Sequence, residues 1–418
     1  MNETVNDSYC FIGGICFDHQ MNEIKSSSKC GLQNAPNAFQ LAFIDGLRSN
    51  VENLDVINLP FIGAYPLNYK KIIGPKTERF NYKNSKGLEI KCNNHRFINL
   101  IYFKLYLRER VCFNALSEYY KAHKDSHHIY LFIYSIHLPF LKAAIKLKKR
   151  HKNVKIITIV TDLPEFKNDT TSRWKQWLYN YDTHVDKKTY DAVDGYILLS
   201  KHMAPKVISN NQPYVIIEGI YNPNDNNETT VCESDKKTIF YSGTLARRYN
   251  IMTLVKAFQE LQGDEYRLII CGAGSCKDEI LKVSKLDSRI EFKGEVSRTE
   301  VLHLQRTSSL LVNPRTNEGD YTNYSFPSKT MEYLASGTPT LLYKLGGIPD
   351  EYYDNCFAIS DPSVQNLKES IEMILNLPAS ERVSIGQKAK KFILGKKTSD
   401  KQCQKAIDLI NSINQNAK

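Results

Sequence analysis

Twice along this chain, short apolar runs that stop at glycine or another turn former alternate with helix-patterned segments. That rhythm confines the chain to the α/β class, because consecutive strands joined through helices run parallel with right-handed crossovers. The first series opens with Tyr9–Ile12, closed by Gly13-Gly14. A helix pattern at Asn37–Leu47 and a strand at Leu54–Leu59, closed by Pro60, follow. A continuous apolar run at His128–Tyr134, a helix from Pro139 to Arg150 and strands at Val154–Val160, Gly195–Leu199 and Tyr214–Ile217 complete it.

The polar, turn-forming stretch Asn222–Thr230 then reads as a linker. Beyond it the rhythm restarts, with strands at Thr238–Ser242, Tyr266–Cys271, Ile290–Phe292, Ser309–Val312 and Thr340–Tyr343. Helices are expected at Ile251–Leu261, Lys277–Val283, Arg298–Arg306, from Pro327, and over the last residues, 398–418. The expectation is therefore a domain over residues 1–222 and a second over 237–395. Two doubly wound sheets of this kind would face a central cleft, with ligands gathering at strand C-termini.

Composition narrows the function classes. With 42% hydrophobic and 24% charged residues, the chain is neither disordered nor fibrous. A net charge of +11 implies an anionic partner: a nucleotide, a phospholipid surface or a nucleic acid. The ten cysteines form no Cys-x-x-Cys, and no Cys/His spacing matches a zinc site. Several lie in apolar runs, so free thiols in a reducing, cytoplasmic setting are expected. The first residues carry no basic, signal-like stretch, and no apolar run approaches the ~18 residues of a membrane span. Gly272-Ala-Gly-Ser-Cys-Lys277 fails both the dinucleotide and the P-loop patterns, Asp-x-Asp is absent, and no nucleic-acid module is recognisable.

The segment Asn323–Pro339 is the most informative. Ser325 or Phe326 would cap a helix with Pro327 at its first position, ended by Gly337. Such a helix start offers free N–H groups and a positive dipole end to a phosphate. Lys329 would add a full charge there. Glu332, three residues on, shares its face, and its carboxylate can accept two hydrogen bonds from a vicinal diol such as a ribose. The competing reading is a surface ion pair worth a few tenths of a kcal/mol. The second element is Tyr241-Ser-Gly-Thr-Leu-Ala-Arg-Arg-Tyr-Asn250, where Arg247 and Arg248 can neutralise a diphosphate or merely furnish an exposed basic loop.

The ordered series Gly-Thr-Leu…Arg-Arg, Ile-Ile-Cys-Gly-Ala-Gly, Phe-Lys-Gly-Glu-Val and Asn-Pro-Arg…Pro-Ser-Lys…Glu-Tyr-Leu-Ala-Ser-Gly-Thr-Pro resembles the donor half of GT-B glycosyltransferases. It is similar to the group 1 type, glycosyltransferase family 4. Thr161–Glu165, Asp194–Ser200, Ile217–Ile220 and Gly346–Glu351 resemble the acceptor half of bacterial capsular and exopolysaccharide-assembly members. The resemblance implies a retaining, metal-independent transfer of a sugar from a UDP- or GDP-sugar, with no cofactor.

By the same resemblance, Glu332 would hold the ribose, while Lys329 and Arg247 or Arg248 would hold the diphosphate. The turn Asn323-Tyr324-Ser325-Phe326 would offer N–H groups to the distal phosphate. Val296, on the Lys293–Val296 strand end, would line the base, and Gly243, Gly272 and Gly274 would let the donor approach the backbone. Residues 398–418 would pack back on the first domain. Two features depart from the family: its Glu-x₇-Glu pattern would begin at 324, where this chain has tyrosine, leaving Glu318 or Asp320 as substitutes, and its arginine–lysine pair is replaced by Thr244 and the Arg247/Arg248 pair.

On the acceptor side, Asp162 and His137 follow strands, where either can orient or deprotonate a hydroxyl, or simply cap a turn. Lys142–Lys155 carries cations and no acid, and Phe97–Arg110 is aromatic and basic. Each is a candidate contact for anionic lipid head groups, against the plainer reading of a solvated helix face. The expected partners are thus a nucleotide-sugar, a lipid-linked saccharide acceptor and the anionic inner face of a cell membrane, with no nucleic acid. The competing functions are a GT-B sugar-nucleotide epimerase or hydrolase, and a catalytically silent GT-B subunit that binds membrane and a partner.

Overall fold

The computed structural model describes residues 6–30, 34–163, 187–222 and 236–416. They divide into two compact units, Met1–Ile220 with Ser399–Lys418, and Tyr221–Thr398. Of the stretch read as a linker only Asn222 is described, and Pro164, Glu165 and Cys232 lie outside the described residues.

The first unit is built on an eight-stranded sheet. Its strands are β1 (Ser8–Gly13), β2 (Asp55–Asn58), β3 (Glu78–Lys83), β4 (Glu89–Asn94), β5 (Ile129–Tyr134), β6 (Val154–Val160), β7 (Gly195–Leu198) and β8 (Tyr214–Ile216). The order is β3-β4-β2-β1-β5-β6-β7-β8, parallel except for β3, which runs antiparallel to β4. β5 is buried at all six positions, as expected of a strand covered on both faces, and this is why its sequence reads as one apolar run. One layer of cover is formed by the helices Asn34–Asn50 and Ser399–Asn416, which close over Phe11, Phe43, Val56 and Phe132. Gly46 is what lets these helices meet, because a Cβ there would stand 2.0 Å from the Ser399 carbonyl oxygen. The helices Lys104–Ala122 and Leu138–Lys148 pack on one another, the first also against β2 and the second against β5 and β6.

The β3–β4 hairpin and the helix Lys104–Ala122 are additions to the sequence reading. β3 alternates charged or polar residues with aromatics at a sheet edge and carries no apolar run to betray it. Lys142–Lys155 turns out to be mainly a sheet-covering helix, Leu138–Lys148, with seven buried residues. Its cations are partly spent inside the unit: Lys148 Nζ reaches Asp194 Oδ2 at 2.7 Å, and Lys146 lies over the Phe113 ring.

The second unit carries a six-stranded, wholly parallel sheet: β9 (Lys237–Ser242), β10 (Tyr266–Cys271), β11 (Ile290–Gly294), β12 (Leu310–Asn313), β13 (Thr340–Tyr343) and β14 (Phe357–Ile359). Its order is β11-β10-β9-β12-β13-β14. The chain builds outward from β9 to one edge and then restarts at β12 on its other side. The β9/β12 boundary is therefore the switch point at which α/β sheets take ligands. The core is continuous, from Ile239, Leu268 and Leu310 through Leu254 and Phe258 to Ile371 and Phe392.

Candidate functional site

The candidate site of the second unit is assembled at the C-terminal ends of β9, β10 and β12. Gly243 N donates to Cys271 O (3.1 Å) and Leu245 N to Ala273 O (2.9 Å), so the loops after β9 and β10 run side by side. Gly272 (φ +133°) and Gly274 (φ +156°) make that possible: added Cβ atoms would lie 1.9 Å from Gly243 O and 2.4 Å from Leu245 O. Glycine at these two positions is thus what lets the loops pack backbone to backbone.

The helix Ser328–Ser336 points its first turn at the same end. Tyr333, almost fully buried, fixes it there: its hydroxyl accepts from Ser242 N (2.8 Å) and donates to Ser242 O (3.3 Å), at the last residue of β9. The cap differs from the sequence expectation. Pro327 is the N-cap and Ser328 the first helical residue, so neither Ser325 nor Phe326 caps the helix. The Ser325 hydroxyl instead donates to Tyr321 O (3.1 Å) and accepts from Arg315 Nη2 (3.0 Å). The Phe326 ring packs on Tyr352 at 5.2 Å, which leaves only its backbone for a ligand.

Lys329 and Glu332 are brought together, with Nζ to Oε1 at 2.8 Å, but not as an isolated surface pair. Glu332 also accepts from Gln305 Nε2 (2.6 Å) and meets Arg298 Nη1 (3.2 Å), both from the helix Arg298–Thr307. Gln305 is fully buried and the Glu332 side chain only 14% exposed. Burial pushes the Glu332 carboxyl up, and Lys329, Gln305 and Arg298 more than offset this, holding it below the usual carboxylate range. The result is an ionised, positioned acceptor next to a cation that is more than a third exposed.

The remaining residues fall around this pair. Arg247 and Arg248 lie on the 3₁₀ turn Arg247–Tyr249 beyond β9. Arg247 is largely exposed and held by Glu279 at 2.7 Å, while Arg248 lies over Tyr249. Asn323 and Tyr324 belong to the 3₁₀ turn Asp320–Tyr324, which Gly346 and Gly347 approach closely enough that Cβ atoms would strike Asn323 Oδ1 and Ser325 O. Glu318 and Asp320 are exposed at its entrance. The Val296 side chain packs with Val301 and Leu304 against Phe240 and Ile269.

The structure adds Arg315, just past β12. Its guanidinium lies over Tyr249 (5.5 Å) and Tyr321 (5.1 Å), tying the β9 and β12 loops together, and its buried Nε has no hydrogen-bond partner. Its place in Asn313-Pro314-Arg315 was visible, but nothing in the sequence reveals which rings it meets.

In the first unit, His137 follows β5 and precedes the helix Leu138–Lys148, edge-on to Phe61 (5.2 Å) and Phe140 (4.5 Å). Asp162, just beyond the neighbouring β6, is exposed, and its Oδ2 lies 3.5 Å from Thr161 Oγ1. β1 and β5 flank this unit's own switch point. Among the described residues, no helix is long and apolar enough to cross a membrane.

Two doubly wound, Rossmann-like units with sites at strand C-termini define the GT-B fold class, and solved structures of that class are what the chain is similar to. Sucrose-phosphate synthase from Thermosynechococcus elongatus superposes with a TM-score of 0.63 at 15% identity, over 98% of this chain and 99% of that one. The α,α-trehalose 6-phosphate synthase of Burkholderia multivorans gives 0.62 at 10% identity, over 99% and 100%. HepE of Anabaena, solved with UDP, gives 0.57 at 12% identity, over 97% and 100%. Residues 224–392 match the family model described as glycosyl transferases group 1, a span that contains every residue of the second unit's candidate site. Among curated proteins, none matches.

Proposed function

We propose that the protein is a retaining glycosyltransferase that moves a sugar from a UDP- or GDP-sugar to a lipid-linked oligosaccharide acceptor during bacterial surface polysaccharide synthesis. The observation that carries the donor half of this reading is the Lys329–Glu332–Gln305–Arg298 cluster at a helix start beside the glycine-bearing β9 and β10 loops. A surface ion pair needs no fully buried glutamine behind it. A carboxylate required to stay ionised and aimed does.

In this reading the ribose diol takes over the Glu332 oxygens while Lys329 turns to the diphosphate. The N–H groups of the helix start and of the turn at Asn323–Phe326, with Arg247 or Arg248, complete the phosphate cradle. As the glycosidic bond breaks, charge grows on the leaving diphosphate, and fixed cations and N–H groups placed there lower the barrier. Donor binding then needs no metal. The UDP carried by the Anabaena neighbour makes uridine the first base to try. His137 and Asp162, at the strand ends of the other unit, are the candidates for handling the acceptor hydroxyl.

The test is a thermal-shift panel of UDP, GDP, CMP, ADP and their sugar forms, with and without EDTA. Ligand at ~100 times Kd should add about 2.7 kcal/mol of stability. Stabilisation by one nucleoside diphosphate that survives EDTA supports the reading. No response to any nucleotide favours the silent, partner-binding subunit, a reading that Tyr324, in place of the family's glutamate, keeps open.

A further inference from the structure

We propose that one face of the first unit, made by residues 65–76 and 96–106, inserts into the interfacial layer of an anionic membrane. This names the surface through which a lipid-linked acceptor would be met, and so rests on the acceptor half of the function proposed above.

Among the described residues, twelve large hydrophobic side chains are exposed, and seven of them lie on these two segments: Leu67, Ile72, Ile73, Ile98, Tyr102, Phe103 and Tyr106. The segments are joined by backbone. Ile73 bridges Ile98, Tyr65 bridges Leu100, Asn99 N donates to Ile72 O (2.7 Å) and Gly74 N to Phe97 O (2.9 Å). The seven side chains therefore belong to one platform rather than to scattered positions, and clustering of this kind marks an interaction surface.

Tyr102 holds φ +72°, a conformation uncommon for a residue other than glycine, and the residue is 72% exposed. Beneath the platform Arg108, essentially without solvent contact, lies among the rings of Phe61, Phe97 and Phe140 and donates to Leu59 O. Lys104 donates to Ile62 O, and Asn99 Nδ2 to Gly63 O (2.6 Å). Burying the Arg108 cation to brace a loop whose outer surface is apolar makes little sense for a solvated loop and good sense for a surface that must hold its shape in a headgroup layer.

The chemistry favours a bilayer over a protein partner. Lys70, Lys71, Lys76 and Arg96 are exposed around the apolar residues, and neither segment contains a single Asp or Glu. Lys71 is held by Glu23 at 2.8 Å, Lys70 Nζ donates to Ser26 O (2.8 Å), and Lys76 interacts with Glu78. Tyrosine and phenylalanine rimmed by cations is the composition that settles at a membrane–water interface, and anionic head groups complement the charge. The platform also follows β2, and Phe61, which Arg108 lies over, meets the candidate acceptor residue His137 at 5.2 Å.

The experiment is co-sedimentation of the full chain with phosphatidylcholine vesicles, with and without phosphatidylglycerol, at low and high salt. The variants are Tyr102→Ser with Phe103→Ser, Ile72→Ser with Ile73→Ser, and Leu286→Ser as an exposed control in the other unit. The wild type and L286S should bind the anionic vesicles, and each double variant roughly tenfold more weakly. High salt should weaken wild-type binding without abolishing it, because insertion is apolar. All replaced side chains are exposed, and unchanged melting temperatures confirm that the variants fold. The proposal is overturned if the wild type ignores anionic vesicles or if the double variants bind like the wild type. It is overturned equally if the wild type dimerises and these substitutions only make it monomeric, since the face would then belong to a second copy. Vesicle binding is read without turnover, so its loss with nucleotide stabilisation intact removes this face and spares the donor site.

Discussion

Replacing Glu332 by glutamine separates a ligand-holding carboxylate from a structural one. The variant keeps the side-chain volume and an acceptor oxygen for Gln305 Nε2, so that buried N–H keeps its partner. The charge goes, and with it the acceptor that Oε2 offers Arg298 Nη1 (3.2 Å). Hydrogen bonds to charged groups contribute about 1.5–3 kcal/mol and those between neutral groups about 0.5–1.5. For two ribose hydroxyls the difference is roughly 1–3 kcal/mol, or about 5- to 150-fold in affinity for a nucleoside diphosphate. Inorganic pyrophosphate has no ribose, and in the variant Lys329 faces a neutral amide oxygen instead of a carboxylate at 2.8 Å. Its affinity should therefore hold or rise. Calorimetric titration of UDP, GDP and pyrophosphate against both proteins measures this. Equal nucleotide affinity in wild type and variant, or a parallel fall for pyrophosphate, would refute the assignment of Glu332 to the ribose.

Two further predictions concern the frame of each unit. Gly272→Ala places a Cβ at φ +133°, 1.9 Å from Gly243 O, so the backbone strain alone should cost about 1–3 kcal/mol. Urea unfolding should show that loss together with weaker nucleotide stabilisation, and a fully stable variant would mean the β9 and β10 loops are not locked as described. Lys104 is held down to about 7 by burial and then by the neighbouring Arg108, against about 10.4 for an unfolded chain. Between those values the unfolded chain binds the extra proton, so stability from this group rises with pH. The wild-type melting temperature should therefore gain on that of Lys104→Met from pH 7 to pH 10, and parallel curves would contradict the buried, depressed amine.

What the sequence made legible was the part governed by local pattern. Strands such as β5 and β13, buried at every position, declare themselves because both faces are covered. The Lys329–Glu332 spacing also follows from helix geometry alone. What remained hidden depends on partners remote in sequence. Gln305 and Arg298, which turn an ordinary i,i+3 pair into a braced acceptor, lie 27 and 34 residues from Glu332. Arg315 acquires its setting from Tyr249 and Tyr321, on two different loops. The β3–β4 hairpin has the composition of a solvent-exposed edge. Phe97–Arg110 reads as one amphipathic stretch, but the fold divides it into a platform edge and a helix start, with Arg108 turned inward.

The helix Ser399–Asn416 gives the chain an unusual order of completion. Cys403, Ala406, Leu409, Ile410 and Ile413 fill the core beneath β1, β5 and β7, yet a ribosome makes them only after the whole second unit. The unit translated first is thus the one whose core closes last. Throughout synthesis of residues 221–398, Phe43, Leu47 and Gly195 would face water, or a chaperone, in place of their eventual neighbours. A nascent chain halted before residue 399 would carry a complete second-unit core and an open first-unit one, so quality control during translation would act chiefly on the first unit.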